Sequence, residues 1–185
     1  MIASESRRNS AVLVIDVQRD VVADAHDVDD VIANINTVID KARAADVPVI
    51  WIQHHSDGLR RGSPGWEFVD ELRRSDDEPL LHKTYGDAFE ATDLETLLTD
   101  HGIGHLLVTG AQTDFCVRAT LHGALARGYD TTLVADAHTT DDLAADGVAI
   151  KASDVIAHTN HYWRGVTAPG RSGSTVTAAE VDLTD

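Results

Sequence analysis

Ala11-Val-Leu-Val-Ile15 is an unbroken apolar run closed by Asp16. Apolar residues without alternation read as a strand covered on both faces, the setting of a parallel sheet. Outward from this run, Val28 to Asp46 places Val31, Ile32, Ile35, Val38, Ile39 and Ala42 at helical spacing, so an amphipathic helix follows. Val47-Pro-Val-Ile-Trp-Ile52 reads as a second strand, with Pro48 at its start, where a missing donor is tolerated. Further strands are expected at Pro79–His82, His105–Thr109 and Thr131–Ala135, the last ending at Asp136. Helices are expected at Asp93–His101, Asp114–Arg127 and Val148–Thr159, with Gly128 as a C-terminal cap. Gln53 to Glu78 is the longest irregular stretch, with a short helix around Trp66 to Arg73, and Ser174 to Val181 adds an edge strand. Strands alternating with helices call for an α/β fold: a three-layer α/β/α doubly wound sandwich on a mostly parallel sheet of about six strands. A single domain over 1–185 is expected, with 1–10 as a tail and 165–185 as an extension.

Composition narrows the function. The net charge of −16 repels phosphate backbones and anionic lipid headgroups, so no nucleic acid or membrane partner is expected. The polar stretch Met1 to Ser10 leads into no long apolar segment, which points to the cytoplasm. Cys116 is the sole cysteine, which excludes an internal disulfide and a multi-cysteine metal cluster.

In doubly wound sheets, ligands sit beyond the carboxyl ends of the strands. Asp16 and Lys83 directly follow the first and third expected strands, and Cys116 lies just past the fourth. The fold therefore brings three distant side chains to one sheet edge. A cysteine at the start of a helix meets free N–H groups and the positive end of the dipole, which favour a thiolate. A nearby lysine would lower its pKa further. A carboxylate could move the thiol proton to a leaving amine. Taken singly, each has a plainer reading: a buried core thiol, a turn-forming aspartate and a solvated lysine.

Three longer motifs carry a family resemblance. Val14-Ile-Asp16-Val-Gln18, His82-Lys83-Thr-Tyr-Gly-Asp-Ala-Phe89 and Val108-Thr-Gly110-Ala-Gln-Thr-Asp-Phe-Cys116-Val occur in the order and spacing of the isochorismatase-like cysteine hydrolases. Gly128-Tyr-Asp-Thr-Thr-Leu-Val-Ala-Asp136-Ala resembles the strand that follows in that family. The resemblance implies an Asp16–Lys83–Cys116 triad with Asp16 as base and Cys116 as nucleophile. It also implies a non-proline cis peptide at Ala111–Gln112, with the Gln112 and Cys116 N–H groups facing an oxyanion. The reaction implied is hydrolysis of a non-peptide C–N bond (amide, ureido or lactam) in a small molecule. Isochorismatases proper lack the cysteine, so Cys116 argues against vinyl-ether hydrolysis. Nicotinamidases carry a metal-binding Asp-x-His pair, where this chain has Gln53-His54-His55-Ser56-Asp57. No metal or other cofactor is therefore expected, and His54 and His55 read as surface or pocket histidines. Gln18, Trp66, Tyr85 and Phe89 are candidate substrate-binding residues, and a homo-oligomer is expected. The alternatives are another hydrolase chemistry on this fold and a catalytically silent binding protein.

Overall fold

The computed structural model describes residues 8–183. Strands β1 (Asn9–Ile15), β2 (Val49–His54), β3 (Leu80–Lys83), β4 (Ile103–Ala111), β5 (Asp130–Thr139), β8 (Thr167–Ala168) and β9 (Arg171–Val176) form one sheet, in the order β3-β2-β1-β4-β5-β9-β8. All pairings are parallel except the short β8 against β9. Helices α1 (Val28–Ala44), α2 (Leu94–Asp100), α3 (Arg118–Arg127) and α4 (Ala152–Trp163) complete the layers.

The alternation of side chains along β1 divides the core. Ala11, Leu13 and Ile15 pack with Leu94 and Leu98 of α2, Leu121 and Ala124 of α3 and Trp163 of α4. Val12 and Val14 pack on the other face with Ile35, Val38 and Ile39 of α1. Both faces of the central strand are apolar because helices cover both.

Two expectations change. Residues 148–159 do not form one helix: β6 (Leu143–Ala145) and β7 (Val148–Ile150) make an antiparallel hairpin, and α4 begins only at Ala152. Asp146 and Gly147 join those strands with φ of 54° and 78°, the conformation of a tight Asp-Gly hairpin turn. Asp142 then caps α4 from outside, its Oδ1 accepting the Ala152 N–H at 2.8 Å. Residues 67–73 form no helix; only a 3-10 turn, Pro64–Trp66, is present, and Val69 N–H instead bonds to the Val17 carbonyl at 3.2 Å. Within the expected extension, the edge strand forms as β9 at Arg171–Val176 and pairs with β5 in the main sheet, and Ala178 and Val181 beyond it are buried. The expected tail, 1–10, ends inside β1; residues 1–7 and 184–185 lie outside the described residues.

Gly110 governs how closely β1 and β4 approach. Its φ is +114°, and a Cβ there would stand 2.1 Å from the Ile15 carbonyl oxygen. Gly110→Ala is expected to cost about 3 kcal/mol, by backbone strain plus displacement of the strand leading into Asp16. Urea denaturation would read this, and a loss well under 1 kcal/mol would mean the junction yields more easily than its packing indicates.

Candidate active site

Four neighbouring strands deliver their carboxyl ends to one place. Asp16 follows β1 in the left-handed region, at φ 52°, a conformation aspartate tolerates better than most residues. His54 ends β2 and stands directly opposite Lys83, which ends β3. Beyond β4 the Ala111–Gln112 peptide is cis, and Thr113–Val117 forms a π-helical turn that carries Cys116 into α3. The Phe115 and Val117 N–H groups both bond to the Gln112 carbonyl, at 3.1 and 3.2 Å.

Lys83 Nζ is the hub. It lies 2.6 Å from Asp16 Oδ2, 3.1 Å from Cys116 Sγ, 3.3 Å from His54 Nδ1 and 3.2 Å from the Tyr85 carbonyl oxygen. The Lys83 and Asp16 side chains are almost wholly buried, 0% and 2% exposed. Burial pushes the Asp16 carboxyl up, against the opposing pull of Lys83. Burial and the Asp16 charge push the Cys116 thiol up to about 12, although Lys83 opposes them. This corrects the expected thiolate: the ammonium is already matched by Asp16, so the buried sulfur keeps its proton. Burial, then the charges of Lys83 and His55, hold His54 down to about 4. His54 is thus neutral near pH 7, its Nδ1 accepts from Lys83, and its proton sits on Nε2.

Carboxylate, imidazole and thiol donor atoms of Asp16, His54 and Cys116 lie within 4.8 Å of one another, a spacing that could hold a metal ion. Lys83 Nζ touches all three, however, and its charge already occupies that triangle.

Two braces fix these parts. Gln18 is fully buried and clamps the His54 backbone: Nε2 donates to the His54 carbonyl at 3.0 Å and Oε1 accepts its N–H at 2.9 Å. Behind the turn, Asn160 Nδ2 donates to the Ala135 carbonyl at 2.8 Å, so its Oδ1 accepts from His138 Nε2, 3.0 Å away. His138 Nδ1 then accepts the Thr113 hydroxyl at 2.8 Å, consistent with burial holding this histidine down to about 4.

A cavity of about 480 Å³ opens over the sulfur, lined by His54, Asp114, Phe115, Cys116, Arg118 and His122 among others. Of the expected substrate-binding residues, Gln18 serves as the clamp just described. Phe89 belongs to the core, 6% exposed, with its ring 5.7 Å from Tyr129. Trp66 lies off the cavity wall against His82, and its carbonyl accepts from Gln18 and Gln53. Tyr85 is exposed beside Gly86, which lines the cavity. Sequence reasoning passed over Phe115, Arg118, His122 and His138; the only signal for the first three was their helical spacing around Cys116.

The isochorismatase domain model matches residues 10–159, and the chain belongs to that family. It is 35% identical over 154 residues to streptothricin hydrolase from Streptomyces noursei, covering 80% of this chain and 61% of that protein. It is 28% identical over 195 residues to a probable inactive nicotinamidase from Arabidopsis thaliana, covering 86% and 97%. Ureidoacrylate amidohydrolase RutB from Enterobacter sp. (strain 638) is 32% identical over 139 residues, covering 58% and 60%. A solved isochorismatase from Burkholderia xenovorans LB400, so described putatively, superposes with a TM-score of 0.83 at 28% identity, covering 92% and 84%. Among the described residues, no helix is long and apolar enough to cross a membrane.

Two outcomes follow from the site's electrostatics. Asp16→Ala leaves the Lys83 ammonium buried without its counter-charge, a loss of about 3–5 kcal/mol, and Asp16→Ala/Lys83→Met is expected to recover most of it. Equilibrium unfolding of the single and double variants gives the coupling; additive losses would deny it. Because burial pushes the thiol up to about 12, its alkylation by iodoacetamide should keep rising from neutrality through about pH 10. A plateau centred near the ordinary thiol value of about 8.5 would contradict the burial effect.

Proposed function

We propose that this protein is a cysteine-dependent hydrolase of a non-peptide C–N bond in a small molecule, with Asp16, Lys83 and Cys116 as its catalytic residues. The observation that carries the reading is the single Lys83 ammonium in reach of both the Asp16 carboxylate, at 2.6 Å, and the Cys116 sulfur, at 3.1 Å. It is supported by relatives named streptothricin hydrolase and ureidoacrylate amidohydrolase.

In the resting site the proton is on sulfur and Asp16 is paired with Lys83. As sulfur attacks the substrate carbonyl carbon, Asp16 takes the thiol proton, and its raised pKa suits that role. The carbonyl oxygen becomes an anion that accepts from the backbone N–H groups of Gln112 and Cys116, at the first turn of the helix, where N–H groups lack intrahelical acceptors. Collapse breaks the C–N bond, and Asp16 returns the proton to the departing nitrogen. The thioester left on Cys116 is then attacked by water, whose proton passes through Asp16 to the sulfur as the acid is released. Lys83 holds the carboxylate in place and balances whichever of Asp16 and Cys116 carries the negative charge. Amide, ureido and lactam substrates all fit this sequence. A catalytically silent, ligand-binding member is the second reading, favoured by the high thiol pKa and by the Arabidopsis relative described as inactive.

Cys116→Ser is expected to lower ammonia or amine release across a panel of carboxamides, ureido acids and lactams by at least about a thousandfold while the fold persists. Mass spectrometry of wild-type protein quenched during turnover should show an acyl adduct on Cys116. Undiminished hydrolysis by the serine variant would exclude the nucleophile assignment, and quantitative recovery of every compound by the wild type would favour the silent reading.

A further inference from the structure

Among the described residues, the β6–β7 hairpin is a two-stranded sheet that pairs with no third strand. All six of its strand residues are exposed. The pairs Leu143–Ile150 and Ala145–Val148 share one face, and Ala144–Ala149 lies on the other. The first face is apolar and open, with Leu143, Val148 and Ile150 at 47%, 48% and 40% exposed. Elsewhere in the described chain only Tyr85 and Phe115 leave large apolar side chains in the open. A lone hairpin of this length is marginal in water. Its base is nevertheless tied down: Thr140 donates to Asp114 at 2.6 Å, Asp141 accepts from Gln112 at 2.7 Å, and Lys151 pairs with Asp142 at 2.6 Å. The hairpin is thus held in place while its apolar face and both strand edges stay uncovered.

The register says which edge is suited to a partner. The two-residue turn makes Ala145–Val148 a hydrogen-bonded pair, and Leu143–Ile150 is the next one. Val148 and Ile150 therefore bond inward to β6, and the free edge of β7 is centred on the N–H and C=O of Ala149. The free edge of β6 is centred on Ala144 by the same rule. An antiparallel edge is complementary to itself about a two-fold axis. Pairing through β7 sets Ala149 against the partner's Ala149 and, twice over, Val148 against the partner's Ile150. Two β-branched side chains then meet in the close, non-hydrogen-bonded position. Lys151 falls opposite the partner's Gly147, beside the partner's Asp146. Pairing through β6 would instead set Leu143 against the partner's Ala145 and Asp142 against the partner's Asp146, two like charges face to face. Charge also favours the hairpin over other surfaces. Copies of a chain with a net charge of −16 repel one another, and residues 143–150 carry a single charge, Asp146.

We infer that the outer edge of β7 is a self-association surface, at which two copies of this chain join their hairpins about a two-fold axis into one four-stranded antiparallel sheet. Three or more strands with an apolar face make a stable unit where two do not, so each hairpin supplies what the other lacks. The contact is small. A hairpin edge and its flanks bury less than about 1,200 Å² in total, the size of weak and reversible complexes, so the dimer forms in the micromolar range. Nothing in this contact depends on the chemistry at Cys116.

Sedimentation velocity of the whole protein, from about 1 to about 200 µM, is expected to show a mass that rises with concentration. Ala149→Pro removes the outward N–H and no bond inside the hairpin, so it should halve the mass reached at the highest concentration. Ala144→Pro makes the same change on the β6 edge and should leave that mass as it is. A second measurement does not rely on proline. Cys116 is the sole cysteine, so in a Cys116→Ser background an added thiol reports alone. Ala149→Cys should then give an interchain disulfide on mild oxidation, because the paired Cα atoms stand about 5.5 Å apart, and Ala144→Cys should not. A protein that stays monomeric at about 200 µM leaves the edge to a strand of some other protein and refutes the contact. An assembly whose mass Ala149→Pro does not change refutes it too, and cross-linking through position 144 in preference to 149 overturns the choice of edge.

Discussion

An ammonium group with no exposed surface sets the terms for everything around Lys83. An unpaired charge at such depth would cost several kcal/mol, and a single carboxylate rarely offsets that alone. Here the partners come from successive places along the sheet: His54 from β2, Asp16 from the end of β1 and Cys116 from the turn after β4, with the Tyr85 carbonyl beside them. The strand order β3-β2-β1-β4 is therefore also the order of the side chains around Nζ. Parallel pairing places every one of these residues at the same end of its strand. An antiparallel neighbour would have carried its partner to the opposite edge.

That arrangement also decides where the mobile proton rests. With Lys83 balanced by Asp16, the sulfur gains too little from the ammonium to overcome its own burial, and its pKa rises instead of falling. The thiol is kept latent beside a carboxyl group whose own proton affinity is raised by the same burial. Two hydrogen-bonded braces hold the pair in register. Gln18 fixes the backbone of His54, and the Asn160–His138–Thr113 chain fixes the turn from behind.

The convergence of Asp16, Lys83 and Cys116 was legible because each lies at or just beyond the end of an apolar run, and the position of a strand end survives errors of a residue or two. Side-chain direction was less accessible. Gln18 and Phe89 lie close in sequence to Asp16 and Lys83, yet one turns inward to clamp His54 and the other packs beside Tyr129. The sign of the thiol shift was missed for a similar reason. Helix position and a nearby lysine are visible in the sequence, whereas the depth of burial depends on the packed neighbours. The β6–β7 hairpin was missed although Asp146-Gly147 is a strong turn signal, because Val148 and the residues after it also continue a helical apolar pattern.

The position of β9 has a further effect on assembly. It adds to the free edge of β5, and the segment after it is tied back by Lys41 Nζ, which donates to the carbonyls of Ala178, Ala179 and Val181 at 3.0, 2.6 and 2.9 Å. The fold thus joins α1 to residues 137 to 140 positions later in the chain. Until residues 171–181 have docked, β5 has an open hydrogen-bonding edge and α1 has part of its apolar surface uncovered. Molecules in which this segment is not yet in place are consequently the ones most in need of protection from aggregation.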